Sequence, residues 1–178
     1  MELRTLLQEC LTGRVRFVGL GNEDMSDDGL GMALARKLAR SGCHAVLLAG
    51  TTPERWLGQL ADGRADTVVF LDAVEGGTAP GSVVILDTAQ LESRFPQIST
   101  HKLSLGLLSH WVESGGVARA WLIGVQPESL AAGNELSPVV AESVEALAVL
   151  LETFLGASEP VSQAPCESPG VPETAHVT

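Results

Sequence analysis

The chain has 178 residues, of which 45% are hydrophobic, so it can bury one sizeable core but is too short for two comfortable domains. Its formal net charge is −11, with 22 acidic residues against 11 basic ones, which makes nucleic acid and anionic membranes poor partners for most of its surface. No apolar run approaches the length that crosses a bilayer, and the first residues lack a signal-peptide pattern, so we expect a soluble protein.

The three cysteines, Cys10, Cys43 and Cys166, are scattered along the chain and form no CxxC pair. This spacing indicates neither a structural zinc site nor a thioredoxin-like motif. Free thiols without a disulfide framework are typical of a reducing compartment, so we expect a cytoplasmic protein. At this size a monomer is expected.

Apolar segments that predict β-strands alternate with amphipathic segments along the chain. The strands are expected at 15–20, 44–49, 67–71, 82–86 and 118–125, and the helices at 1–12, 28–40, 53–61, 103–113 and 137–155. The alternation predicts an α/β fold, a three-layer sandwich whose mostly parallel twisted sheet is flanked by helices. The connection from Asp72 to Ser82 is too short for a helical crossover, so the fourth strand should be an antiparallel edge strand.

The composition divides the chain into three parts. We expect an N-terminal extension at 1–14, a single α/β domain at 15–157 and a tail at 158–178. The tail holds four prolines and neither lysine nor arginine. Because it cannot bury enough apolar surface to offset the entropy of ordering it, we predict that it is disordered.

An acidic, glycine-rich segment follows the first strand and reads Gly-Leu-Gly-Asn-Glu-Asp-Met-Ser-Asp-Asp-Gly-Leu-Gly over residues 19–31. It is not a dinucleotide site, because Asp24 replaces the third glycine of GxGxxG and four carboxylates would repel a pyrophosphate. One of the pair Asp27 and Asp28 is expected to cap the following helix. The other is then surplus to capping, and it lies at the sheet edge where open α/β sheets bind ligands.

Two further polar residues fall at the same predicted edge. Asp72 ends the third strand, and His101 precedes the helix at 103–113. Taken singly, Asp72 could bond the next turn and His101 could be an ordinary loop residue. Together with Asp28 they offer two carboxylates and an imidazole, a set that suits nickel or zinc. His44 and His110 are weaker candidates.

The chain lacks a GxSxG elbow, an HExxH helix motif and a P-loop, and neither Cys10 nor Cys43 has the local signature of an activated thiolate. If the protein is a hydrolase, attack by a metal-assisted water is therefore the most economical mechanism.

The motif G-x-G-N-x-x-x-x-D-D-G-x-G resembles the N-terminal signature of the hydrogenase maturation endopeptidases. Further matches to this family follow in order, at 50–54 (GTTPE), 72–73 (DA), 100–105 (THKLSL) and 124–129 (GVQPES). The resemblance covers about residues 15–155. It implies that Asp28, Asp72 and His101 are both the catalytic residues and the metal ligands.

The resemblance also implies an endopeptidase that removes a short C-terminal peptide from the nickel-loaded precursor of a nickel–iron hydrogenase large subunit. Nickel would then be supplied by the precursor, and that precursor would be the partner. Nickel could polarise the scissile carbonyl or activate a water, or it could only position the bond. A non-proteolytic metal-binding or metallochaperone module that uses the same three residues is the alternative.

Overall fold

The computed structural model describes residues 3–94, 105–114 and 118–156. The strands are β1 (Val15–Leu20), β2 (Val46–Gly50), β3 (Thr67–Ala73), β4 (Val83–Asp87) and β5 (Arg119–Val125). The α-helices are α1 (Leu3–Cys10), α2 (Leu30–Arg40), α3 (Leu57–Leu60), α4 (Thr88–Arg94), α5 (Leu105–Ser114) and α6 (Pro138–Gly156). Short 3₁₀ helices at Ser26–Gly29 and Pro53–Trp56 lead into α2 and α3.

The five strands form one sheet in the order β2-β1-β3-β5-β4. The first four run parallel, whereas β4 pairs antiparallel with β5, with Val83 opposite Val125 and Asp87 opposite Trp121. This arrangement confirms the predicted fold class, including the antiparallel edge strand.

Helices cover both faces of the sheet and give two apolar clusters. On one face, Val69 and Leu71 of β3 pack with α1, α2 and α6. On the other face, Val68 and Phe70 pack with residues of α3, α4 and α5. Side chains alternate across a strand, and helices cover both faces of the sheet here. Every position of β3 from Val68 to Leu71 is therefore buried, which explains its continuous apolar sequence.

Several boundaries and one helix differ from the sequence prediction. Strand β2 begins at Val46 instead of residue 44, and β3 continues past Asp72, which therefore lies within the strand. The sequence prediction missed α4. Asp87 begins this helix with a capping box, in which its Oδ1 accepts the Gln90 N–H at 2.7 Å and Gln90 Oε1 accepts the Asp87 N–H at 3.2 Å.

Helix α1 belongs to the first cluster, where the side chains of Leu7 and Cys10 are fully buried. The division into an extension, a domain and a tail stays a prediction, and the predicted tail at 158–178 lies outside the described residues. Among the helices that the structure describes, none is long and apolar enough to cross a membrane.

Cys10 is expected to be chemically inert in the folded protein. Burial raises the pKa of its thiol to about 12, although Arg119 opposes this shift. We expect Cys10 to resist alkylation by iodoacetamide at pH 8 and to react only after unfolding in guanidinium, as measured by peptide mass spectrometry. Fast labelling of Cys10 in the native protein would contradict this environment.

Candidate active site

The glycines of the acidic segment allow the start of α2 to lie directly against the carboxyl ends of β1 and β3. A Cβ atom at Gly31 would stand 2.0 Å from the carbonyl oxygen of Leu71 and 2.6 Å from that of Leu20. Gly21 has φ +110°, and a Cβ atom there would stand 1.7 Å from the carbonyl oxygen of Asp28. Only glycine fits at either position, so these two residues fix where the acidic loop sits.

Asp28 lies in the 3₁₀ helix that precedes α2, and its side chain is 7% exposed. Its Oδ2 accepts the N–H of Asn22 at 2.7 Å, which ties the carboxylate to the turn after β1. Within the described ranges, its other oxygen has no hydrogen bond. The carboxylate is therefore held in place with one oxygen available to a ligand.

Asp72 lies one residue before the end of β3 and is 4% exposed. Its Oδ1 accepts the N–H of Ala73 at 2.9 Å. The alternation of β3 turns Asp72 toward the same face as Val68 and Phe70. The 3₁₀ helix that carries Asp28 contacts β3, so the structure brings both carboxylates to one edge of the sheet.

His101 lies outside the residues that the structure describes. Helix α5 begins four residues later, and its Leu105 and Leu108 pack on the face toward which Asp72 is turned. Within residues 3–94, 105–114 and 118–156, no three His, Cys, Asp or Glu side chains form a group that could hold a metal ion. His44 is exposed and precedes β2 at the opposite end of the strand, and His110 is exposed on α5.

Asp27 has a different role from its neighbour, and the sequence prediction missed it. Its fully buried carboxylate accepts hydrogen bonds from the N–H groups of Glu128, Ser129 and Ser137 at 2.7–2.9 Å and from the Ser137 hydroxyl. Burial alone would raise the pKa of Asp27, but these four bonds outweigh it and lower the pKa below its usual value.

The expectation that one of the two aspartates caps α2 is wrong, since neither the 3₁₀ helix nor α2 begins with a side-chain cap. Asp27 instead anchors the loop between β5 and α6, because that loop presents several unpaired backbone N–H groups to it. The surplus of one acid over the needs of capping was the sequence signal, but it could not say which loop the second acid meets.

The acidic loop and the β5–α6 loop also pair through their backbones. Ser26 N–H donates to the carbonyl of Gly133 at 2.6 Å, and Gly133 N–H donates to the backbone carbonyl of Asp24 at 3.0 Å. Ser26 has φ +47°, an uncommon conformation for a residue with a side chain, and its hydroxyl bonds the carbonyl of Glu135 at 2.9 Å. These hydrogen bonds join the two loops next to Asp28.

Asp27→Asn is expected to reduce the free energy of unfolding by about 2–4 kcal/mol, because an amide cannot accept all four hydrogen bonds. Since the folded pKa of Asp27 lies below the unfolded value of about 3.9, its contribution is present above that pH and is lost as pH falls through the folded pKa. Urea unfolding from pH 7 to pH 3 should therefore show a shallower acid loss in the variant. Asp24→Asn, an exposed neighbour, is the control, and equal stability of both variants would contradict the anchor.

These features define a class of protein, namely α/β proteins with an acidic site at the carboxyl edge of a parallel sheet. The comparisons with known proteins narrow the class. The family model described as hydrogenase maturation protease matches residues 30–153. The chain therefore belongs to the hydrogenase maturation protease family, as its motifs had indicated.

Solved structures and curated relatives agree with this assignment. The NiFe hydrogenase maturation protease HycI from Thermococcus kodakarensis is 31% identical, with a TM-score of 0.75, and the match covers 85% of this chain and 99% of that one. HybD from the same organism is 30% identical, with a TM-score of 0.67 and coverage of 80% and 99%. The hydrogenase 3 maturation protease of Escherichia coli is 27% identical over 139 residues, 77% of this chain and 88% of that protein.

Proposed function

We propose that this endopeptidase removes a short C-terminal peptide from the nickel-loaded precursor of a nickel–iron hydrogenase large subunit. The observation that carries the proposal is the pair of aspartates at one sheet edge, with Asp28 tethered through one oxygen and Asp72 fixed within β3. The family to which the chain belongs supports the substrate class.

We propose Asp28, Asp72 and His101 as the residues that meet the nickel carried by the precursor. Two carboxylate oxygens and an imidazole nitrogen suit a borderline divalent ion and leave positions for the precursor's own ligands. Nickel there would act as a Lewis acid on the scissile carbonyl or on a water, or would fix the position of the bond. The enzyme's part is to hold its donor atoms at fixed positions before the precursor arrives.

The hydrogen bonds within and between the loops support this assignment of roles. Asn22 orients Asp28, while Asp27 and Ser26 join the acidic loop to the β5–α6 loop. Residues that orient a ligand without touching the metal contribute to affinity because they reduce the cost of ordering the site. Asp27 is therefore a positioning residue in this proposal.

We propose a monomer that works in the cytoplasm on a protein precursor, without nucleic acid or membrane as partner, in line with the net charge of −11. We also propose residues 15–157 as the protease domain, flanked by an extension and a proline-rich tail. A metallochaperone role is set aside, because the family is one of proteases.

The test uses precursor from the same organism, prepared with and without nickel and incubated with the purified chain. Intact-mass spectrometry should show loss of a short C-terminal peptide from the nickel-loaded form alone. Cleavage of both forms would contradict the role of nickel. Tight binding of nickel by the isolated chain, with no change in precursor length, would overturn the proteolytic function.

A further inference from the structure

Glu54 belongs to a motif, Gly-Thr-Thr-Pro-Glu at 50–54, that the aspartate site does not explain. The motif connects β2 to the 3₁₀ helix Pro53–Trp56 at the carboxyl edge of the sheet. Gly21 N–H donates to the carbonyl of Gly50 at 3.2 Å. The motif therefore lies beside the turn whose Asn22 binds Asp28.

The carboxylate of Glu54 is incompletely satisfied. Its Oε2 atom is buried and has no hydrogen-bond partner in the part of the chain that the structure describes. Removing a carboxylate oxygen from water without supplying a donor costs free energy, and such atoms are few in native proteins. A donor that arrives with the substrate would remove this cost, once the partly exposed Glu54 side chain turns Oε2 toward it.

Glu54 and Asp72 are placed so that one short segment of the precursor can reach both residues. Trp56 and Leu57, in the same segment as Glu54, pack on the cluster toward which Asp72 is turned. Strand β1 lies between β2 and β3, which separates the ends of these two strands by about 10 Å. About three residues of extended peptide span that distance.

We propose that Glu54 binds the precursor segment that crosses this edge, by accepting a hydrogen bond from one of its N–H donors at Oε2. The inference rests on the proposed function and adds a specificity residue to it. The donor is a backbone amide or a cationic side chain of the precursor, since either supplies an N–H group to a carboxylate.

The experiment compares Glu54→Gln and Glu54→Met with the wild type on nickel-loaded precursor. Glu54→Met removes the acceptor, so KM should rise at least about tenfold while kcat changes little. Glu54→Gln keeps an acceptor without the charge, so it should match Glu54→Met for a cationic donor and stay near the wild type for a backbone amide. Glu142→Gln, an exposed carboxylate on α6, is the matched control and should leave KM unchanged.

Stability separates this role from a structural one. Because Oε2 has no hydrogen-bond partner among residues 3–94, 105–114 and 118–156, neither substitution should lower the thermal unfolding midpoint. Unchanged KM in Glu54→Met would overturn the inference while leaving the proposed function intact, and a lowered midpoint with unchanged KM would assign Glu54 to the fold. If the wild type fails to shorten the precursor, the proposed function fails, and calorimetric Kd values for the precursor then decide the role of Glu54 alone.

Discussion

Asp28→Asn and Asp72→Asn are each expected to reduce the rate of precursor processing at least about a hundredfold. Mutation of a residue that only orients a metal ligand typically lowers metal affinity or activity about tenfold to a hundredfold, and these two aspartates would be ligands themselves. Asparagine keeps an oxygen that accepts the Asn22 N–H or the Ala73 N–H, so the local backbone should stay in place. The substitution to asparagine removes only the negative charge that attracts the cation. The rate is measured by intact mass on nickel-loaded precursor under single-turnover conditions.

Two comparisons make this result interpretable. Asp24→Asn removes an exposed carboxylate from the same loop and should process at the wild-type rate. His101→Gln should lose activity together with the two aspartate variants. Wild-type rates in all three site variants would contradict the proposed site, and circular dichroism on each variant checks that the fold is retained.

Gly31→Ala is expected to lower the free energy of unfolding by about 3 kcal/mol or more, which is the upper end of the cost of overpacking. The added methyl group would overlap the backbone carbonyls of Leu71 and Leu20, and neither strand end can move without breaking the sheet. Urea unfolding at constant pH measures the change. Processing should fall as well, because the acidic loop would be displaced from Asp72.

Gly58→Ala is the matched control, because the same added methyl group meets nothing within 4 Å in the short helix α3. It should leave stability unchanged or raise it by up to about 1 kcal/mol through helix propensity. Similar losses from the two substitutions would show that the contact between α2 and the strand ends is not what constrains the loop.

The sequence predicts most of the sheet, because the strands are long apolar runs and the short connection between β3 and β4 forces an antiparallel neighbour. Helix α4 escaped prediction because its start depends on the reciprocal bonds of Asp87 and Gln90, which stand out only once β4 is known to end there. The sequence predicts the start of β2 two residues early because Ala45 extends the apolar run, whereas the pairing with β1 begins at Val46.

The candidate site divides in the same way. Glycine spacing and strand ends place Asp28 and Asp72 at one edge from sequence alone. Asp27 could not be assigned, because its partners Glu128 and Ser137 are about a hundred residues away in the chain. Glu54 could be noticed as part of a motif, but the buried oxygen that gives it a role is a property of the folded structure.

Nickel K-edge X-ray absorption on the complex of this protein with nickel-loaded precursor tests whether Asp28 and Asp72 bind the nickel. Mass spectrometry first identifies the cleaved bond. A precursor variant with proline directly after that bond is then used to prevent cleavage during the measurement, and its intact mass checks that it is not cleaved. We expect additional oxygen and nitrogen neighbours around nickel when the wild type binds, and fewer of them with Asp28→Asn or Asp72→Asn. A nickel environment identical to that of the free precursor would contradict this expectation.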